Sequence, residues 1–201
     1  MLLLSTYFGA RAYGEIERRQ AVAAFGQAQT EPLLPQSPDR PLPQSSVRLA
    51  PVNVQVATVT APIDSAAESA ESSAPAALLR IRRVGLEVPV YADTSERNLN
   101  RGAGLIEGTS APQSDGNSGI AAHRDGYFRV LADVVLGDVL DLETSAGKRS
   151  YRVTGLSIVE PTDLSPLDAT DLPAVTLVTC YPFYFVGPAP LRYIVRAVAV
   201  D

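Results

Sequence analysis

The placement of proline constrains this chain more than any other feature. Of its 16 prolines, Pro32, Pro35, Pro38, Pro41, Pro43, Pro51, Pro62 and Pro75 fall between Ala28 and Ala77. Proline lacks a backbone N–H and locks φ, so this spacing forbids regular helix and interrupts any sheet ladder. The stretch is otherwise rich in Ser, Ala and Gln, which offer little to bury. Residues 28–77 therefore read as a disordered or extended linker. Within it, Val52–Val59 (VNVQVATV) alternates as a strand would, but is read as a short apolar patch in that linker.

Residues 1–27 form a separate N-terminal segment. The opening MLLLSTYFGA is apolar only until Arg11, far short of the roughly 20 residues that span a bilayer. Its abrupt apolar start suggests the last turns of a membrane anchor, and EIERRQAVAAF (Glu15–Phe25) supplies good helix formers. A cleaved signal peptide fits less well, because the segment has no positively charged start.

From Leu78 the character changes to short strand-like runs separated by turn signals: LLRIRRV, LEVPVY, SGIAAH, DVLDLE, RSYRVTGLSIV, AVTLVTC and RYIVRAVAV. Several alternate apolar and polar residues, which predicts strands with one buried face. Only Ser95–Leu99 and Tyr127–Val134 look like short helical turns, so a doubly wound parallel sheet does not fit. Residues 78–201 are expected to form one mostly β domain, with enough chain for a closed or nearly closed barrel of seven or eight strands.

Charge and cysteine content narrow the function. A formal net charge of −5, with no basic run longer than Arg18-Arg19 or Arg82-Arg83, leaves no footprint for a phosphate backbone, so nucleic acid is not an expected partner. One Cys makes no intramolecular disulfide, and one Cys with one His falls short of a zinc ligand set.

That single Cys, Cys180, ends the run Thr176-Leu177-Val178-Thr179 and precedes Tyr181-Pro182, so it sits where a strand must stop. A lone Cys is often a small buried hydrophobe; its surroundings point to chemistry. His123, the one His, closes the run Gly119-Ile120-Ala121-Ala122, again at a strand end. A thiol with pKa near 8.5 and an imidazole that titrates near neutrality each gain from proximity, and His as general acid suits an expelled amine. Arg192 opens the last strand, 12 residues beyond Cys180, where a permanently charged guanidinium can hold an oxyanion. Arg196, on the same face of that strand, is read as a solvated or salt-bridged arginine.

TLVTC (Thr176–Cys180), with His upstream on an earlier strand and Arg on the strand that follows, resembles the signature of the sortase family. The continuation YPFYFVGPAPLRYIVRA is similar to the class D type in particular, and the resemblance runs from about Leu78 to Asp201. It implies an eight-stranded sortase β-barrel with short helices and a cysteine transpeptidase that needs no cofactor. Cys180 would form a thioacyl-enzyme with an LPxTG-like sorting-signal peptide. His123 would shuttle protons, Arg192 and a backbone N–H at Tyr181 would hold the oxyanion, and an amine acceptor would release the product. The resemblance also implies attachment to the extracytoplasmic face of the bacterial membrane through the N-terminus. It makes the loop Glu160–Pro173 a groove wall, with Pro161, Leu164, Pro166, Thr179 and Tyr181 as substrate-binding candidates. Asp163, Asp168 and Asp171 make that loop acidic but lack EF-hand spacing, so no metal is assigned.

Two other readings stay open. A hydrolase of the same fold differs only in giving the thioester to water. A non-catalytic β-barrel adhesion or peptide-binding module would leave Cys180 buried and distant from His123. Papain-like proteases place Cys before His, and L,D-transpeptidases carry a Ser-His-Gly-Cys motif that is missing here.

Overall fold

The structure, a computed structural model, describes residues 19–23, 26, 74–184 and 187–200. Residues 19–23 and 26 are helical. The rest of the N-terminal segment, and the linker up to residue 73 with Val52–Val59, lie outside the described residues. No helix among the described residues is long and apolar enough to cross a membrane.

Eight strands close into a barrel: β1 (Ala77–Ile81), β2 (Leu86–Tyr91), β3 (Ala103–Leu105), β4 (Asn117–Ala121), β5 (Val139–Thr144), β6 (Gly147–Val159), β7 (Ala174–Tyr181) and β8 (Leu191–Ala199). Their order around the barrel is β1-β2-β3-β4-β7-β8-β6-β5. Closure removes the unpaired edges that an open sheet would expose. Alternating side chains point inward, so Leu79, Ile81, Val88, Ile120, Leu177 and Val195 form a core with almost no exposure, each burial stabilising by about 1.5–3 kcal/mol.

The expected strands are present with adjusted ends. The run LLRIRRV does not continue as a strand: Arg82–Val84 form a 3-10 turn that Gly85 terminates at φ 67°, a left-handed conformation that glycine adopts without strain. The helical turn near Ser95 is helix α1 (Glu96–Arg101), and the second is a 3-10 helix over Tyr127–Asp133. β3 was not legible as a strand. It pairs parallel to β2 and antiparallel to β4, and its Gly104 lies so close to the 93–94 backbone that a Cβ would stand 2.2 Å from Asp93 O.

The Tyr127–Asp133 turn buries Phe128 and Leu131, and Arg83 ties it to the β1–β2 turn by donating to Asp133 O. Elsewhere, Gln113 Nε2 donates to Leu142 O and Gly147 O at 2.7 Å each, fastening the β3–β4 connection across the β5–β6 hairpin. A register shift between Val153 and Gly155 bends the long β6 so that it serves both β5 and β8.

Candidate active site

The site is built on three neighbouring strands. β7 and β8 are antiparallel with Cys180 opposite Arg192. On the other side β4 runs parallel to β7 with Ala121 opposite Val178, and Ala122 N continues the ladder by donating to Val178 O at 3.3 Å. His123 stands two residues beyond Ala121, just past the last paired position of β4 and at the same end of the barrel as Cys180. Strand neighbours lie roughly 4.8 Å apart, so Cys180 and Arg192 are one strand spacing from each other. Cys180, His123 and Arg192 are all partly exposed.

Period-two alternation extends this row downward on the outer face of the sheet. Below His123, Cys180 and Arg192 come Ala121, Val178 and Ile194, and below those Gly119, Thr176 and Arg196. The middle row is an apolar floor leading to the thiol. Over the lowest row runs the Glu160–Pro173 connection, whose 3-10 turn at Ser165–Leu167 meets Gly119, Thr176 and Arg196. A Cβ on Gly119 would lie 2.9 Å from Leu167 Cδ2, so the missing side chain is what lets the loop rest on β4.

Hydrogen bonds hold the rim. Thr179 Oγ1 donates to Ala122 O at 2.8 Å, joining the residues that precede Cys180 and His123. Arg124 donates to Pro182 O at 3.1 Å and Gly187 O at 2.9 Å, and Arg129 donates to Phe183 O at 3.0 Å. The segment after His123 thus grips the segment after Cys180. Phe183 meets Tyr181 and Tyr193 edge-on, with centroids 5.8 and 5.1 Å away. Arg192 Nη1 donates to Leu191 O at 3.0 Å and Ala189 O at 3.3 Å. Glu96, at the start of α1, brings Oε2 to 3.8 Å from His123 Nε2. Glu96 is highly exposed, so the pair is well screened and contributes at most about 1 kcal/mol.

The expected substrate-binding residues divide. Pro161 and Leu164 are exposed on the loop, Tyr181 is half-buried beside Cys180, and Pro166 is half-buried with its carbonyl already bonded. Thr179 is 3% exposed and its hydroxyl donates to Ala122 O, because alternation turns it inward when Cys180 turns outward. Arg196 is corrected. It is partly buried and donates to Pro166 O at 3.1 Å. Sequence reasoning missed Glu96, Asn117, Arg124 and Arg129. Among these only His123-Arg124, a basic residue next to the imidazole, gave any local signal.

No group of three or more His, Cys, Asp or Glu side chains among the described residues is placed to hold a metal ion. A separate cleft is lined by Arg82, Arg83, Asp138, Asp141 and Lys148. Its charges are mutually paired, Arg83 with Asp138 and both Arg82 and Lys148 with Asp141.

This chain is similar in sequence and fold to several known proteins. The sortase domain family matches residues 79–200. Sortase D of Bacillus subtilis (strain 168) is 32% identical over 126 residues, covering 62% of this chain and 64% of that protein. Sortase A of Bacillus anthracis is 29% identical over 106 residues, covering 51% and 50%. The chain thus aligns with less than two thirds of the length of either relative. The crystal structure of the complex of Streptococcus agalactiae sortase C1 and MTSET superposes with TM-score 0.59 at 31% identity, covering 63% of this chain and 69% of that one. With the domain match spanning more than half of its residues and the barrel shared, this chain belongs to the sortase family.

Proposed function

We propose that this protein is a cysteine transpeptidase that cleaves an LPxTG-like sorting signal and joins its acyl part to an amine, attaching proteins to the cell surface. The observation that carries this reading is the register that pairs Cys180 with Arg192 and runs β4 parallel to β7, so that the end of β4 leading into His123 lies beside the end of β7.

The Cys180 thiolate attacks the Thr carbonyl carbon of the peptide. The oxyanion that develops is held by Arg192, the residue paired with Cys180 across the ladder, and by the Tyr181 N–H; Pro182 has no N–H to offer. The C–N bond then breaks, its electron pair leaves with the amine, and the protonated His123 gives that amine its proton. A thioester to Cys180 remains. The incoming amine attacks it, His123 takes the amine's proton, and the thiolate departs. No oxidant, reductant or cofactor is consumed. The apolar floor of Ala121, Val178 and Ile194 suits an extended peptide with apolar side chains next to the scissile bond. On this reading the chain works at the extracytoplasmic face of the bacterial membrane, held there through its N-terminal segment.

Water as acceptor gives the hydrolase instead. Mass spectrometry of the 201-residue chain with a Leu-Pro-Ala-Thr-Gly peptide and a glycine amine, beside Cys180→Ala, separates the outcomes. A thioacyl adduct and an amine-joined product, both lost in the variant, are expected. Hydrolysed peptide alone points to the hydrolase. An absence of adduct across a panel of motifs overturns the reading in favour of a binding module.

A further inference from the structure

Side chains from three strands converge on the carbonyl oxygen of Pro166. Asn117 Nδ2 on β4 lies at 3.0 Å, Arg196 Nη1 on β8 at 3.1 Å and Thr176 Oγ1 on β7 at 3.2 Å. A hydroxyl has one proton, and Thr176 Oγ1 is nearer to Asn117 Oδ1, at 2.8 Å. Its proton therefore goes to Asn117, and with Oδ1 so occupied the amide must turn Nδ2 toward the loop, where it also reaches Asp168 O at 3.1 Å. The two lone pairs of the Pro166 carbonyl are then filled by Asn117 and the charged Arg196. Thr176 and Asn117 are almost fully buried, at 0% and 1% exposure, so this is a built contact.

The anchor is placed where it has leverage. Pro166 lies in the middle of the Glu160–Pro173 connection, whose Leu164 and Leu172 are about two-thirds exposed and add little hold. Thr176 and Arg196 are opposite one another on the ladder, and Cys180 and Arg192 are opposite one another four residues further along the same face. One pair of strands thus carries both the reacting groups and the clamp on the loop.

We infer that Asn117, Thr176 and Arg196 are positioning residues for peptide binding, which hold the Glu160–Pro173 loop against β4 and β7 before the peptide arrives. This rests on the reading of that loop as one wall of the peptide groove. A loop ordered in advance costs no ordering entropy when the peptide binds. Loss of the anchor therefore weakens binding and leaves the chemical step at Cys180 largely as it was.

The test combines kinetics with hydrogen exchange on the full chain, using a quenched Leu-Pro-Ala-Thr-Gly peptide and a glycine amine. Arg196→Met is expected to raise KM about five- to tenfold with kcat within about twofold. Arg196→Lys should recover most of that loss. Without peptide, the amides of Ser165, Leu167 and Asp168 should exchange at least about tenfold faster in Arg196→Met. Thr176→Val, nearly isosteric, should move KM and exchange in the same direction and carries the test if Arg196→Met does not fold. Unchanged exchange, or a loss confined to kcat, overturns the inference. If the parent chain fails to turn over the peptide, the peptide-groove reading falls and the inferred role with it, while the exchange rates still report separately whether the anchor holds the loop.

Discussion

Thr179 Oγ1 donates to Ala122 O across 2.8 Å, so the residue before Cys180 is bonded to the residue before His123. The bond is buried, and it links two segments 57 residues apart in the chain. It fixes the relative height of Cys180 and His123 more directly than any contact between the two side chains. Thr179→Val keeps the shape and removes the donor, leaving the Ala122 carbonyl unpaired. We expect a stability loss of about 1–2 kcal/mol in urea denaturation, and a kcat reduction of at least about fivefold in fully folded protein, as the two groups lose their alignment.

Arg192 and Lys at that position differ in geometry more than in charge. The guanidinium meets Ala189 O and Leu191 O through Nη1 and carries further N–H donors in a fixed fork, an arrangement that a single ammonium cannot reproduce. Arg192→Lys should lower kcat by about 100-fold with KM within about threefold, and Arg192→Ala by about 1,000-fold. Single-turnover thioacylation, read by mass, checks both. Equal losses in KM and kcat would instead assign Arg192 to peptide binding.

Asp138 carries the clearest pH dependence of stability. The Arg83 guanidinium bonded to it, at 2.8 Å for Nη2 to Oδ2, holds its carboxyl below the ordinary value of 3.8, with the Val135 N–H adding to this against the cost of burial. A folded pKa below the unfolded one means that the stabilisation is fully present above 3.8. It is lost as pH falls through the folded value. Asp138→Asn should therefore be less stable than the parent at pH 6, and the gap should narrow as pH falls below about 4. Thermal melts from pH 6 to pH 2 measure it; a constant gap would contradict the assignment.

Gly104 occupies a place where the backbone leaves no room. A Cβ there would stand 2.2 Å from Asp93 O and 2.8 Å from Asp93 C, and neither atom belongs to a side chain that can swing away. Gly104→Ala should cost about 2–3 kcal/mol or prevent folding. Gly85→Ala meets no atom within 4 Å but sits at φ 67°, so it should cost less, about 1 kcal/mol. Denaturant midpoints of the two variants test that order.

Much of this barrel is readable from residue patterns. β2, β5 and β7 show their inward faces as alternation, and their ends fall within a residue or so of the expected runs. β3 does not, because Ala103-Gly104-Leu105 is too short to have a period; it is a strand only because β2 and β4 pair with it. The same division holds at the site. Cys180, His123 and Arg192 stand out through residue type and position at strand ends. Arg196 was read as a solvated arginine, because its partner is a backbone carbonyl 30 residues away, to which no pattern of side chains refers. Asn117 gave no signal either: its contacts to Pro166 and Thr176 span 49 and 59 residues.

By itself the sequence determined that a β domain follows a proline-rich stretch, that one thiol and one imidazole end strands, and that an arginine follows the thiol at hairpin distance. These are local matters of which side chains a short segment presents and where proline or glycine stops it. The tertiary structure alone decided that β4 and β7 run parallel, so that the chain leaves β4 for His123 at the same rim as Cys180, that Thr179 turns inward, and that Arg196 holds a loop. Register between distant strands is selected by the closure of the whole barrel, since slipping one strand by a single residue would turn every side chain to the opposite face.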